Sequence, residues 1–226
     1  MFKELLTIFR TTDPLPGATE DFYTMLELTQ EMILEASDVY WGRDMTPQQR
    51  TALYKKDVKV NKLERRVRKQ IIAHLTGPQV HAVPYALLIM SLVKDAERLG
   101  DYAKNLLEVR DLIDKEFPND ARVSELREVR SSVETLVREA ADVFKRGDVE
   151  RATELTVEGR SVSKRCDDLI RKVAAGNYRG DIAVALTLGA RFYKRIQGHL
   201  LNLLSGVIMP LHKLDYFDEE SLKKVG

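Results

Sequence analysis

The sequence predicts an all-α protein built as two tandem three-helix bundles related by an internal repeat. Three observations carry this. Gly and Pro fall at a few punctuation points, and the segments between them space their apolar residues with a helical rather than an alternating period. Capping residues stand beside that punctuation: Thr46-Pro47 and Asp148 open helices, whereas Gly42 and Gly147 close them. The helices also repeat in order. Glu35-Ala36-Ser37-Asp38-Val39-Tyr40 matches Glu139-Ala140-Ala141-Asp142-Val143-Phe144, and Val60, Val67 and Ile71 match Val162, Leu169 and Val173. Asn105-Leu106-Leu107 matches Asn202-Leu203-Leu204. The offset falls from 104 to 102 to 97, so loops shorten in the second copy while helix order is kept.

Residues 1–17 form a leader with Phe2, Leu5, Leu6 and Phe9 on one helical face, read as a helix packed on the bundle. The first bundle spans 18–116. Its first helix closes at Gly42, its second opens at Thr46-Pro47, Gly77-Pro78 separates the second from the third, and Phe117-Pro118-Asn119-Asp120 ends the third. The second bundle spans 117–210. Gly147-Asp148 divides the fourth helix from the fifth, Gly176 to Gly180 divides the fifth from the sixth, and Pro210 ends the sixth. Helices of about 30 residues, roughly 45 Å, are expected. The tail, 211–226, mixes Leu214, Tyr216 and Phe217 with acidic residues. It is expected to dock on its own bundle or on a neighbouring copy, and a homodimer is expected from it.

Composition narrows the function. The 226 residues carry 36 Lys+Arg against 35 Asp+Glu, a formal net charge of +1, which argues against a dedicated nucleic-acid binder. Charged residues at 31% and hydrophobic residues at 44% suit a folded chain. The single cysteine, Cys166, excludes an internal disulfide and a thiolate zinc site and suits a reducing cytoplasm. It reads as an inert residue on the core face of the fifth helix. No apolar run approaches the roughly 20 residues of a membrane span, and the N-terminus does not read as a signal peptide. A cytoplasmic location is expected.

Chemistry concentrates on the second and third helices. Glu97 and Asp101 stand four apart and share a helix face that continues the apolar Met90 and Val93. Like charges at this spacing repel, and partial burial raises the cost. A metal ion, a basic partner or a shared proton should compensate. On the second helix Asp57, Asn61 and Glu64 share another face. An antiparallel turn centred near residue 79 sets 57 opposite 101 and 61 opposite 97. Asp57, Asn61, Glu64, Glu97 and Asp101 are therefore candidate metal ligands, and oxygen donors favour Mg, Ca, Mn or iron. The other reading is a solvated acidic face paired with Arg65, Arg66, Lys94 and Arg98.

No Glu stands three residues before a His, which disfavours the ferritin-like di-iron pattern. His74, His81, His199 and His212 form no ligand pair and read as structural. No phosphate-cradling Gly-rich loop or nucleophile elbow is present, and no catalytic residue is expected.

Asp95-Ala96-Glu97-Arg98-Leu99-Gly100-Asp101, followed by Asn105, resembles the D-L-E-R-I-G-D…N motif of the PhoU family, regulators of bacterial phosphate uptake. Val60-Asn61-Lys62-Leu63-Glu64 resembles the family's V-D-x-L-E, and Pro78 sits where the family has a proline opening the third helix. Arg191-Phe192-Tyr193-Lys194-Arg195-Ile196-Gln197-Gly198-His199, with Asn202, resembles its second R-x-x-E-R-I-G-D-H…N motif. The resemblance covers roughly residues 18–210. Lys194 and Gly198 replace both acids of the second motif, Asn61 replaces an Asp, and Pro84 stands where an Arg is frequent. The chain thus resembles a divergent member with one degenerate bundle. His199 and Asn202 survive there, which suggests helix packing rather than ligation.

The resemblance implies a non-enzymatic cytoplasmic regulator that acts on a phosphate transporter or a sensor histidine kinase, and reaches the membrane only through that partner. It also implies a metal cluster, of iron, zinc or manganese, in the first bundle only. Two alternatives stand beside it. One is an accessory protein of an ion-coupled rather than an ATP-driven phosphate transporter. The other is a metal-dependent hydrolase built on Asp57, Glu97 and Asp101.

Overall fold

Six long helices run in sequence: α1 Pro16–Tyr40, α2 Pro47–Leu75, α3 Val83–Val109, α4 Ala121–Arg146, α5 Val149–Ala174 and α6 Gly180–Ile208. Two 3-10 turns, Arg110–Leu112 and Leu211–Lys213, follow α3 and α6. The computed structural model describes residues 15–77 and 83–215, and among these there is no strand. The leader face of Phe2, Leu5, Leu6 and Phe9, the Pro78 break, His81, and the tail residues Tyr216 and Phe217 lie outside the described residues.

Local chemistry explains the helix ends. Thr46 caps α2 with a full capping box: its hydroxyl accepts from the Gln49 backbone N–H, and the Gln49 side chain accepts from the Thr46 backbone N–H. Asp120 and Asp148 cap α4 and α5 through their carboxylates. Gly147 closes α4 at φ 55°, a left-handed position that a side chain would disfavour. Gly42, at φ 105°, follows α1 in the same region. Pro16 and Pro47 sit in first turns, where a missing N–H leaves nothing unsatisfied.

Two expectations shift. Helices run 25–29 residues rather than about 30. The third helix stops at Val109 rather than at Phe117, because the 3-10 turn leads into extended backbone at Ile113, whose side chain is buried.

Helices α1, α2 and α3 pack mutually, as do α4, α5 and α6; α3 then packs on α6 and α1 on α4. The buried apolar side chains form one continuous core through all six. Two glycines of α6 permit the close approach. A Cβ at Gly189 would overlap the Tyr40 ring and hydroxyl, and one at Gly206 would press on Leu92 and Leu88. Tyr40 is fully buried there and donates its hydroxyl proton to the Ala185 carbonyl at 3.0 Å. After Pro210 the chain turns back, so that Leu214 is buried and the Asp215 N–H donates to Ser205 Oγ. This part of the tail docks on its own bundle.

Candidate functional site

The antiparallel pairing of α2 with α3 brings the five candidate residues onto one seam. Asp57 and Glu64 are buried on α2, and Glu97 and Asp101 face them from α3. Glu64 lies beside Lys94 and Asp57 beside Lys104, pairs centred near residues 79 and 80, in keeping with the turn expected there. The seam holds two groups rather than one convergent cluster.

In the first group Lys104 Nζ donates to Asp57 Oδ2 at 2.8 Å and lies 3.1 Å from Asp101 Oδ1. Arg98 donates to the other Asp101 oxygen at 3.1 Å, and Asn61 Nδ2 reaches Asp57 at 3.5 Å. Burial, the largest single effect, pulls the Lys104 ammonium down, but hydrogen bonds and charge from Asp57 and Asp101 outweigh it and hold the pKa up. In the second group Lys94 lies 2.7 Å from Glu97 and 3.8 Å from Glu64, while Arg68 lies 2.9 Å from Glu64. Glu64 Oε1 and Glu97 Oε2 are buried, and these cations approach them off the hydrogen-bond directions. They are ion pairs without directed hydrogen bonds.

Among the described residues no three His, Cys, Asp or Glu side chains come together in a group that could hold a metal ion. The expected ligand set of Asp57, Asn61, Glu64, Glu97 and Asp101 is therefore present as residues but arranged around ammonium and guanidinium groups. As arranged it does not fit a metal cluster. Of the cations expected on this face, Lys94 and Arg98 pair with it. Arg66 pairs instead with Asp21 on α1, and Arg68 and Lys104 supply the remainder. The sequence signal for Lys104 was its spacing three residues after Asp101, on the same helix face.

The second bundle replaces this seam. Lys194 Nζ donates to both Asp167 oxygens, at 2.7 and 2.6 Å, and Ser163 Oγ donates to Gln197 Oε1 at 2.9 Å. Gly159, which matches Asp57, packs against Leu201 so tightly that any Cβ would meet its methyl groups. A side chain there would have to displace Leu201. Cys166, which matches Glu64, is buried in the core, and that burial pushes its thiol up to about 12.

Between the bundles, Asp95 of α3 receives His199 Nδ1 at 2.8 Å and Asn202 Nδ2 at 2.9 Å from α6. The His199 ring also stacks on Tyr102, with centroids 5.5 Å apart. His199 and Asn202 join helices.

A protein-family model described as PhoU domain matches residues 22–109, which run from α1 through α3. The phosphate-specific transport system accessory protein PhoU homolog 1 of Thermotoga maritima is 24% identical over 208 residues, 89% of this chain and 81% of that protein. The PhoU homolog of Pseudomonas aeruginosa, also named as a phosphate-specific transport system accessory protein, is 25% identical over 158 residues, 67% of this chain and 65% of that one. The crystal structure of PhoU from Pseudomonas aeruginosa superposes with a TM-score of 0.76 at 21% identity, covering 85% of this chain and 94% of that one. The phosphate transport system regulatory protein PhoU from Streptococcus pneumoniae gives 0.70 at 13% identity, covering 85% and 92%. These structures share the helical-bundle fold. With the domain match lying on the helices that carry the acidic seam, residues 22–109 are similar to the PhoU domain.

Proposed function

We propose that this protein is a non-enzymatic, cytoplasmic accessory regulator of a phosphate transport system, working by docking on a phosphate transporter or on its sensor histidine kinase. The observation that carries this is the PhoU-domain match on α1–α3. It is supported by the names of the relatives, which describe accessory proteins of phosphate-specific transport. No described helix is long and apolar enough to cross a membrane, so contact with a membrane protein would be through docking surfaces. The physical mode is a bias on the partner's conformational equilibrium, which requires contacts that differ between its two states.

A metal at the first-bundle seam, held by Asp57, Asn61, Glu64, Glu97 and Asp101, belongs to the same proposal and would require Lys94, Lys104, Arg68 and Arg98 to turn away from the carboxylates. The hydrolase alternative finds no support in the geometry, because Asp57 and Asp101 are bridged by Lys104 and Glu97 is paired with Lys94.

Co-purification of the full chain from membranes of its native cell tests the docking. A transporter subunit or a histidine kinase should be recovered, and an ion-coupled or an ATP-driven transporter would identify itself. Recovery of neither, with the chain folded and present, would overturn the proposal.

A further inference from the structure

Where the first bundle has its acidic seam, the matching face of the second bundle is basic and concave. A cavity of about 410 Å³ lies between α5 and α6, lined by Arg160, Ser163, Arg191, Lys194, Arg195 and Gly198, among others, and by no Asp or Glu. Lys194 is held by Asp167. Arg191 and Arg195 are exposed and have no ion-pair partner among the described residues. They stand four apart on α6 with Lys194 between them, a spacing at which like charges destabilise a helix. Of the three cations on this helix face, only Lys194 has a carboxylate partner among the described residues.

The floor is built to leave room. Gly198 stands where the first bundle carries Asp101, and a Cβ added there would meet nothing within 4 Å. In the neutral lining the Ser163 hydroxyl donates to Gln197 and the Asn202 amide to Asp95, so Arg191 and Arg195 are the cationic donors left facing the cavity. Guanidinium groups present paired N–H donors that match the oxygens of a tetrahedral phosphoryl group.

We propose that this cavity binds a phosphoryl oxyanion, supplied either as inorganic phosphate or as the terminal phosphate of a nucleotide. The volume lies within the range of small-molecule sites and exceeds what bare phosphate fills, so either source fits. The proposal stands on the cavity alone and is independent of the docking partner.

Titration calorimetry on the full chain at low salt tests it, with inorganic phosphate, ATP without magnesium, and citrate as probes. One saturable site for phosphate or for ATP is expected. Phosphate alone would name the free anion as the source, and ATP alone the nucleotide; either supports the shared chemistry. Both arginines are exposed, so R191Q/R195Q should keep the fold by circular dichroism while weakening binding at least about tenfold. The charge-matched R43Q/R171Q, outside the cavity, should stay within about twofold. Gly198→Asp, for which there is room, should abolish binding by placing a carboxylate on the floor. The proposal is overturned by no saturable binding of either phosphate probe at about 10 mM, by equal weakening in the two double variants, or by citrate binding as well as phosphate.

Discussion

Lys104 does at Asp57 and Asp101 what a bound cation would do: it sits between two carboxylates and neutralises their repulsion. Lys94 does the same for Glu64 and Glu97. The sequence showed that the acidic pair needed compensation and left metal and basic side chains open. It could not choose, because the outcome turns on which rotamers the neighbouring lysines adopt across a helix pair. At an effective dielectric near 20, a unit charge about 4 Å away contributes about 4 kcal/mol, enough to decide occupancy of such a site. Replacing Lys94 and Lys104 with Met keeps the apolar stems and removes both ammonium groups. That variant should bind Mn²⁺ at least about tenfold more tightly than the native chain, measured by calorimetry and elemental analysis. Unchanged affinity would show that the lysines do not compete with metal. Lys194→Glu should add no second site, since Gly159 and Ser163 offer no carboxylate.

Asp120 is a second residue whose role follows from geometry. Its carboxylate accepts the Arg122 and Val123 backbone N–H groups and the Tyr178 hydroxyl. Burial is the largest single influence and raises its pKa, but these hydrogen bonds together outweigh it and hold the group below 3.8. A depressed folded pKa contributes stability that is fully present above 3.8 and is lost as pH falls through the folded value. Asp120→Ala should cost about 1 kcal/mol at neutral pH. Below that acid window the native chain and the variant should converge in denaturant midpoint; a difference that persists there would refute the ionic account.

At the scale of elements, most boundaries were legible because they are set by local chemistry: Thr46, Asp148, Gly42 and Gly147 act within one turn of their own position. The early end of α3 was not, since it depends on burying Ile113 against distant residues. The seating of Tyr40 against α6 was equally hidden, because nothing in the pattern around Gly189 announces that Tyr40 fills the space beside it. Substituting alanine at two glycines of α6 separates packing from helix propensity. Gly189→Ala should destabilise by about 1–3 kcal/mol through overpacking against Tyr40. Gly198→Ala, into open space on the same helix, should stabilise by up to about 1 kcal/mol. Chemical denaturation of both variants reads the sign directly, and two effects of the same sign would contradict the packing account.

For the whole molecule, the repeat predicts two bundles, but their interface decides how they behave. Chains of this length commonly unfold unit by unit. Here the apolar core runs unbroken across both bundles. The Phe22 and Phe144 rings meet edge to face at 5.5 Å between α1 and α4, and Leu88 and Leu92 of α3 close over Gly206 of α6. Buried polar links cross as well. Tyr193 of α6 bonds Ser37 at 2.8 Å and accepts the Trp41 indole N–H at 3.0 Å, while Ser37 donates to Glu134 of α4 at 2.7 Å. Asp95 takes His199 and Asn202 across the α3–α6 contact. Separating the bundles would strip water-excluded surface from four helices and leave these groups without partners, at about 1–3 kcal/mol for each buried group. The two bundles should therefore unfold as one unit. Scanning calorimetry should show a single endotherm whose van't Hoff and calorimetric enthalpies agree. Asp95→Ala, which leaves His199 and Asn202 without their acceptor, should lower that one transition without dividing it. Two resolved transitions in the native chain would mean that the interface is weaker than either core, and that the bundles move as separate bodies.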